Sequence, residues 1–409
     1  MSPHPASADV VIVGAGSAGC VLAERLSRDP SRAVTVLERG PRGPFAAPLD
    51  RLPIDSPDRA TPIVERGGRP VVRGSGVGGS SAINGAYFLR GHRDDYRSWP
   101  WSGDEVDSAF DAAAASMRAT PFADDELGVL ARTFEAACGG PVNTGPWPSD
   151  GLNRVWSNRV DGARWTAGHV LSAAAGRPGL TIRPGVDVVA LETSGDEVVG
   201  VRVATGELIE AGEVIVCAGT LGTARLVAPL VGPLPVHEHA ERIVRFTPRT
   251  ALRAPALLQT VLHVDGLEIR AYGDDFAAFT SLEPTGAPIG VADMAGTSGV
   301  VDGESIDLGV PDAASSERMS RGVRRVVDML EGRTFADLVE PGSVRVDPVI
   351  GLSQHAWGSL PAGEATDADG RVQGWRGLRV VDGSILPGPL HSGPHASIVM
   401  LAVLLAARI

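Results

Sequence analysis

The chain has 409 residues, 43% apolar and 21% charged, the composition of an ordinary globular protein too long for one small core. Its 37 basic residues are all arginine and are outnumbered by 49 acidic ones; the net charge of −12 argues against a nucleic-acid partner. Without lysine, neither a Schiff-base enzyme nor a lysine-dependent phosphate loop can operate.

Met1 to Ala8 carries no basic apolar leader, and no run reaches the roughly 18 apolar residues of a membrane span. The expectation is a cytoplasmic protein with no transmembrane segment, with peripheral membrane association left open. Cys20, Cys138 and Cys217 lack metal-ligand spacing and read as small buried residues.

In chain order, Asp9 to Val13 is a short β-branched run, hence a strand buried on both faces. A glycine turn, a helix over Cys20 to Ser27 and a second strand over Ala33 to Leu37 complete a βαβ unit. Pro41 to Pro70 reads as a surface excursion and Val71 to Gly91 as a glycine- and serine-dense segment ending in aromatics. Asp104 to Met117 and Asp124 to Cys138 have helical composition, whereas Pro141 to Asp161 is loop-like. Strands are expected at Leu180 to Arg183, Val186 to Leu191, Val198 to Val203 and Glu213 to Cys217, then a helix over Thr220 to Val227. His237 to Asp347 alternates like strands around one amphipathic helix, Ser316 to Leu330. Leu378 to Val381 is a last buried strand, and Ala396 to Ala407 a buried helix. The expected organisation is a dinucleotide-type domain assembled from residues 1–235 and 350–409, with a helical and loop insertion at about 100–165, and a smaller domain at 236–349.

In Gly14-x-Gly16-x-x-Gly19 the first glycine permits the strand-to-helix turn, the second admits a pyrophosphate, and the third lets helix and strand pack closely. Glu38 ends the second strand at the distance that suits a ribose diol and disfavours a 2′-phosphate. The motif alone does not choose between FAD and NAD. Arg73 to Gly85, packed with backbone donors, suits a loop against a large planar cofactor.

These blocks resemble the glucose-methanol-choline (GMC) flavoprotein oxidoreductases. The likeness rests on the glycine turn with Glu38, Gly78-Gly79-Ser80-Ser81 through Gly91, Val216 to Leu226, His355-Ala-Trp-Gly358-Ser359, and Val381-Asp382-Gly383-Ser384 through His395. It implies an α/β fold: a Rossmann-like FAD-binding domain from discontinuous segments plus an α+β substrate domain with an antiparallel sheet. It further implies that Gly14, Gly16, Ser17 and Gly19 hold the pyrophosphate, and Glu38 with Arg39 the ribose. Gly79, Ser80, Asn84 and Gly85 would lie beside the flavin and its diphosphate, Val188 at the adenine, and Ala218, Asp382 and Gly383 near the diphosphate and ribityl chain. Ile83 stands where some members tether FAD through histidine, so noncovalent FAD is expected.

The resemblance makes His355 the active-site base and His395 its partner beside the flavin; either could instead be a hydrogen-bonded core histidine. A neutral imidazole suits removal of an alcohol proton during hydride transfer. His391 reads as a loop histidine. His237-Glu238-His239 has alternating residues on one strand face but no third ligand, so no metal is expected. Of the tryptophans, Trp357 has the best claim to the site.

The compact length and the segments 353–361 and 390–397 are similar to the GMC enzymes of the actinobacterial mycofactocin system. That implies an alcohol-type donor such as mycofactocinol, with electrons passed to a respiratory acceptor such as a quinone rather than chiefly to oxygen; the sequence itself leaves oxygen, a quinone or a protein open as acceptor. Three rivals remain: an oxygen-using alcohol oxidase of the same family; a reductase fed by NAD(P)H, which needs a second glycine turn that Ala218 to Gly222 does not supply; and a non-catalytic flavin-binding electron-transfer module.

Overall fold

The computed structural model describes residues 8–409; the leader-free reading of the first seven residues lies outside them. Ala8–Val13, Val34–Glu38 and Leu180–Pro184 run parallel, because the intervening helix Ser17–Leu26 returns the chain to the same sheet edge. On the other side Ala8–Val13 pairs parallel with the second half of Leu208–Val216, which also takes Leu378–Val380. The first half of that long strand pairs antiparallel with Glu197–Val203, itself paired with Val188–Ser194. Seven strands thus form one sheet, and the stretches Val10–Val13 and Val214–Val216 at its centre are apolar and buried, as expected for a sheet covered on both faces.

The C-terminal helix His395–Leu405 packs beneath this sheet with almost every residue buried. It lies against the helices Ser17–Leu26 and Gly103–Ser116. The unbroken apolar run Ile398–Leu405 is what a central position in a core requires.

A second sheet of eight strands is antiparallel but for one pair. It is built from Ala240–Phe246, Leu258–Val264, Leu267–Tyr272 and Ala287–Asp293, with short strands at its edges. The helix Ala313–Leu330 covers one face. Gly322 sits so close to Leu267 and Val291 that a Cβ would lie 2.7 Å from each. Within Leu267–Tyr272, Leu267, Ile269 and Ala271 face this helix and the apolar core, whereas Glu268, Arg270 and Tyr272 engage the polar network on the opposite face. That polar face is turned toward the glycine-rich segment.

Three expectations are corrected. Pro141 to Asp161 is not a loop: it holds Val142–Asn143, Gly151–Arg154 and Trp156–Val160, and Gly151–Arg154 pairs with Leu258–Val264 in the second sheet. Its polar residues hid the strand, since Asn153 is buried yet satisfied by Ser149 and Gly151. Asp124 to Cys138 is helical only from Val129, because Leu127 and Gly128 are extended after one tight turn at Asp124–Glu126. The excursion after Pro41 contains the strand Ala60–Ile63, paired with Val71–Gly74. All three cysteines are free, two of them fully buried.

Candidate active site

The strand Ala8–Val13 delivers the chain into a turn that only glycine can make. Gly14 has φ +100°, and a Cβ there would lie 2.6 Å from the Cys217 carbonyl oxygen; at Gly19 it would lie 2.0 Å from the Gly14 carbonyl oxygen. Gly16 occupies the cap position of Ser17–Leu26 without a side chain to close it, so first-turn amides and the helix dipole remain available to an anion. Ala218 lies on that same side, its Cα 3.1 Å from the position of a Gly14 Cβ.

Glu38 is buried at this turn, where it accepts hydrogen bonds from the amides of Ala15 (2.8 Å), Gly40 (2.8 Å) and Gly76 (2.9 Å). The acid therefore ties the glycine turn to the Arg73–Gly85 segment. Gly78 donates to the Ala15 carbonyl, and a Cβ on Gly79 would lie 2.7 Å from the Gly16 Cα. The amides of Gly185 and Val186 bond the carbonyls of Gly40 and Glu38, which brings Val188 to the same end of the sheet. Arg39, by contrast, is exposed. Ser80 is also exposed and accepts from the Gly74 amide, and Gly85 lies against Leu257 rather than against the turn.

Asp382 precedes the short turn Gly383–Ile385, accepting from the Ser384 amide (2.8 Å) and the Thr223 hydroxyl (2.5 Å). Burial raises its carboxyl above the ordinary range. Gly383 sits against Thr220, at the start of the helix Thr220–Val231. The diphosphate candidates from the two ends of the chain thus lie on neighbouring loops of one sheet.

His355 is held from three directions. Gln354, in the left-handed region with φ +68°, is anchored to Val72, Arg73 and Pro70. The His355 amide donates to Glu238 Oε1 at 2.6 Å, and its Nδ1 lies 3.2 Å from His239 Nδ1. The opposite ring edge faces Gly393, where a Cβ would lie 3.0 Å from Nε2. Burial, then the nearby Arg270 and His239, push the His355 pKa well below its ordinary value, so the ring is neutral at neutral pH.

His395 begins the C-terminal helix. Asn84 Oδ1 accepts from the Ala86 amide, which orients its Nδ2 to donate to His395 Nδ1 at 3.2 Å. A neutral His395 therefore carries its proton on Nε2, a buried atom with no partner among the described residues. Burial lowers this pKa to about 4. Asn84, His355 and His395 are brought together around the 392–395 turn and Tyr87, which His395 Nδ1 approaches at 3.4 Å from the carbonyl oxygen.

The floor below them was not read from the sequence. Arg270 donates to Glu268 Oε1 (2.6 Å) and Glu241 Oε2 (2.9 Å), with Ser353, Tyr272 and Tyr87 closing the network. Burial alone would raise Glu268; Arg270, His263 and Tyr87 outweigh it and hold the carboxyl far below the usual range. The available signal was the alternation in Leu267–Tyr272, with charged residues on every second position of a wholly buried strand.

His237, Glu238 and His239 diverge. His237 bonds the Thr297 carbonyl, Glu238 lies beside Arg73 and His355, and His239 meets His355. Burial raises the Glu238 carboxyl to about 7 and lowers His239 to about 3. Trp357 packs on His239 with ring centroids 4.4 Å apart. His391 is bound to Asp95 at 2.6 Å and stacks on His92.

These residues fit a flavin dinucleotide. The uncapped helix end and side-chain-free cradle suit a diphosphate, while the unpartnered buried atoms of His239, His395, Ser384 and Ser392 offer polar contacts. The family patterns of the N- and C-terminal parts of GMC oxidoreductases match residues 8–229 and 311–402. A GMC-type oxidoreductase of Rhodococcus erythropolis is 32% identical over 97% of both chains. An alcohol dehydrogenase [acceptor] of Pseudomonas putida is 42% identical over 110 residues, 24% of this chain and 20% of that one. Pyridoxine 4-oxidase from Mesorbium loti shares the fold, with a TM-score of 0.82, 21% identity and coverage of 98% of this chain and 99% of that one. Fold, glycine cradle and full-length likeness converge: the chain belongs to the GMC oxidoreductase family, as an FAD-dependent oxidoreductase acting on CH–OH groups.

Proposed function

We propose that this protein is a dehydrogenase in which His355 is the general base and His395 its partner. FAD, held noncovalently, would supply the hydride acceptor. The cradle of Gly14, Gly16, Ser17, Gly19, Gly79, Asp382 and Gly383 would hold the diphosphate, with Glu38 and Val188 toward the adenosine. Ile83 is buried and has no group able to form a covalent link.

The observation that carries the reading is the environment of His355. A neutral imidazole with one ring nitrogen engaged and the other edge turned to Gly393 can accept an alcohol proton at Nε2. Its backbone is fixed by Gln354 and Glu238, so the ring spends little free energy on ordering before reaction. His395 Nε2–H, buried and unpartnered among the described residues, would donate to a developing alkoxide, and its burial away from water would strengthen that contact.

The donor proposed is mycofactocinol or a related redox-carrier alcohol, and the acceptor a respiratory quinone. The support is the motif pattern at 353–361 and 390–397 together with the compact chain. The experiment is anaerobic reduction of the flavin by a panel of alcohols including mycofactocinol, followed by timed re-oxidation with quinone analogues and with oxygen. Bleaching by mycofactocinol and faster re-oxidation by quinone support the reading. Bleaching only by simple alcohols with faster oxygen turnover would replace it with an alcohol oxidase.

A further inference from the structure

A line of hydrogen bonds leads away from the base region toward the surface. Tyr87 donates to Glu268 Oε2 at 2.5 Å, His263 Nε2 lies 2.9 Å from the same oxygen, and His263 Nδ1 lies 2.7 Å from His92 Nε2. Glu268 is fully buried and His263 is 2% exposed, whereas His92 is half-buried. Beyond it, the His391 side chain is 41% exposed, stacks on His92 at 4.3 Å between ring centroids, and is fixed by Asp95. At the inner end, a Cβ on Gly393 would touch both His355 Nε2 (3.0 Å) and the Tyr87 ring (3.5 Å), so the phenol and the base converge on one residue.

We propose that Tyr87, Glu268, His263 and His92 form a proton path between the base and bulk water. The proposal rests on the reading of His355 as the base. Neutralisation of Arg270 does not account for this arrangement. Glu268 already faces Arg270 and Tyr87, and a single histidine completes its set of donors. The second imidazole, His92, adds nothing to that charge balance but extends the line toward solvent.

The donor orientation follows from the carboxylate. Glu268 accepts, so neutral His263 carries its proton on Nε2; its Nδ1 accepts in turn from His92 Nε2–H, leaving His92 Nδ1 as the outward acceptor. A proton taken up at His92 Nδ1 sends the Nε2 proton to His263, whose Nε2 proton passes to Glu268. Glu268 can then protonate the Tyr87 oxygen as the phenol releases its own proton inward, across one water or the donor hydroxyl, to the base. The reverse sequence starts from the tautomers that inward transfer leaves, with both imidazole protons on Nδ1. The proton of the split O–H reaches the Tyr87 oxygen as the phenol proton passes to Glu268, and His263 Nε2 takes it from Glu268. His263 Nδ1–H then passes to His92 Nε2, and His92 Nδ1–H discharges to water. One proton enters and one leaves; no electrons move along the path.

The test uses the FAD-loaded enzyme and His92→Phe, which keeps a ring against His391 but cannot transfer a proton, together with His92→Ala. With an alcohol that bleaches the wild-type flavin, both variants should turn over at least tenfold more slowly in weak buffer. Added imidazole should restore the His92→Ala rate, which a purely structural role would not allow. Turnover unchanged in both, or slowed without imidazole rescue, overturns the path. A readout independent of turnover is exchange of the His263 ring proton with water, followed by NMR. It should slow at least tenfold in His92→Phe, and unchanged exchange overturns the proposal. Failure of every alcohol to bleach the wild-type flavin would instead defeat the assignment of function, while the exchange measurement still decides the path.

Discussion

At the residue scale, the site depends on a few side chains whose ionisation is set by burial. Replacing His355 by Ala should leave flavin content unchanged and slow flavin reduction by on the order of 10²–10⁴, the contribution of a positioned base. Stopped-flow bleaching at 450 nm measures it; near-normal reduction would remove His355 from that role. Arg270 makes a different demand. It is 3% exposed and stands between Glu241 and Glu268, so Arg270→Met leaves two buried carboxylates without their cation. Breaking a buried pair from one side costs roughly 3–5 kcal/mol. Urea unfolding should show a lower midpoint of that order, with the double variant Arg270→Met/Glu268→Gln recovering part of the loss.

At the element scale, the glycine turn was legible because its meaning is local. A buried strand, three glycines at fixed spacing and an acid at the end of the next strand specify the same geometry in any chain that contains them, and Gly14, Gly19 and Glu38 occupy it here. The choice of His355 and His395 rested only on their surrounding motifs. The residues that bind and flank His355 were not, since His239 and Glu238 belong to a connection more than a hundred residues away, and Arg270 to a strand whose face is decided by the pairing of the second sheet. The strand Gly151–Arg154 was missed for the same reason: its partner is Leu258–Val264, and nothing near it in the chain announces that pairing. The local turn supports a sharp test. In Gly19→Val the new side chain would collide with backbone at Gly14, which has no room to yield. The variant should therefore lose flavin on purification, read as the ratio of absorbance at 450 to 280 nm, whereas Gly103→Ala, at an exposed helix start with open space around it, should retain it.

For the whole molecule, the concentration of neutral imidazoles between the two sheets couples folding to pH. Burial lowers His355, His395, His239 and His92, with His395 and His92 at about 4 and His239 at about 3. In the unfolded chain these groups protonate near their ordinary 6.5. Their contribution to stability is therefore complete above pH 6.5 and declines as pH falls toward their folded values. Glu238, raised to about 7, acts oppositely: it takes up a proton in the folded state before it does so unfolded. At pH 5 these four histidines hold up to four extra protons in the unfolded chain and Glu238 holds one in the folded chain, a difference of about three between them, or about 4 kcal/mol per pH unit at most; His169, also lowered by burial, acts in the same sense. His391, held charged by Asp95, adds no difference there, since it is protonated in both states below 6.5. Urea midpoints should accordingly fall steeply between pH 6.5 and 4.5. His395→Asn, which removes one of the four imidazoles and keeps a hydrogen-bonding side chain, should flatten that slope by about one proton; an unaltered slope would mean that His395 is charged in the folded protein.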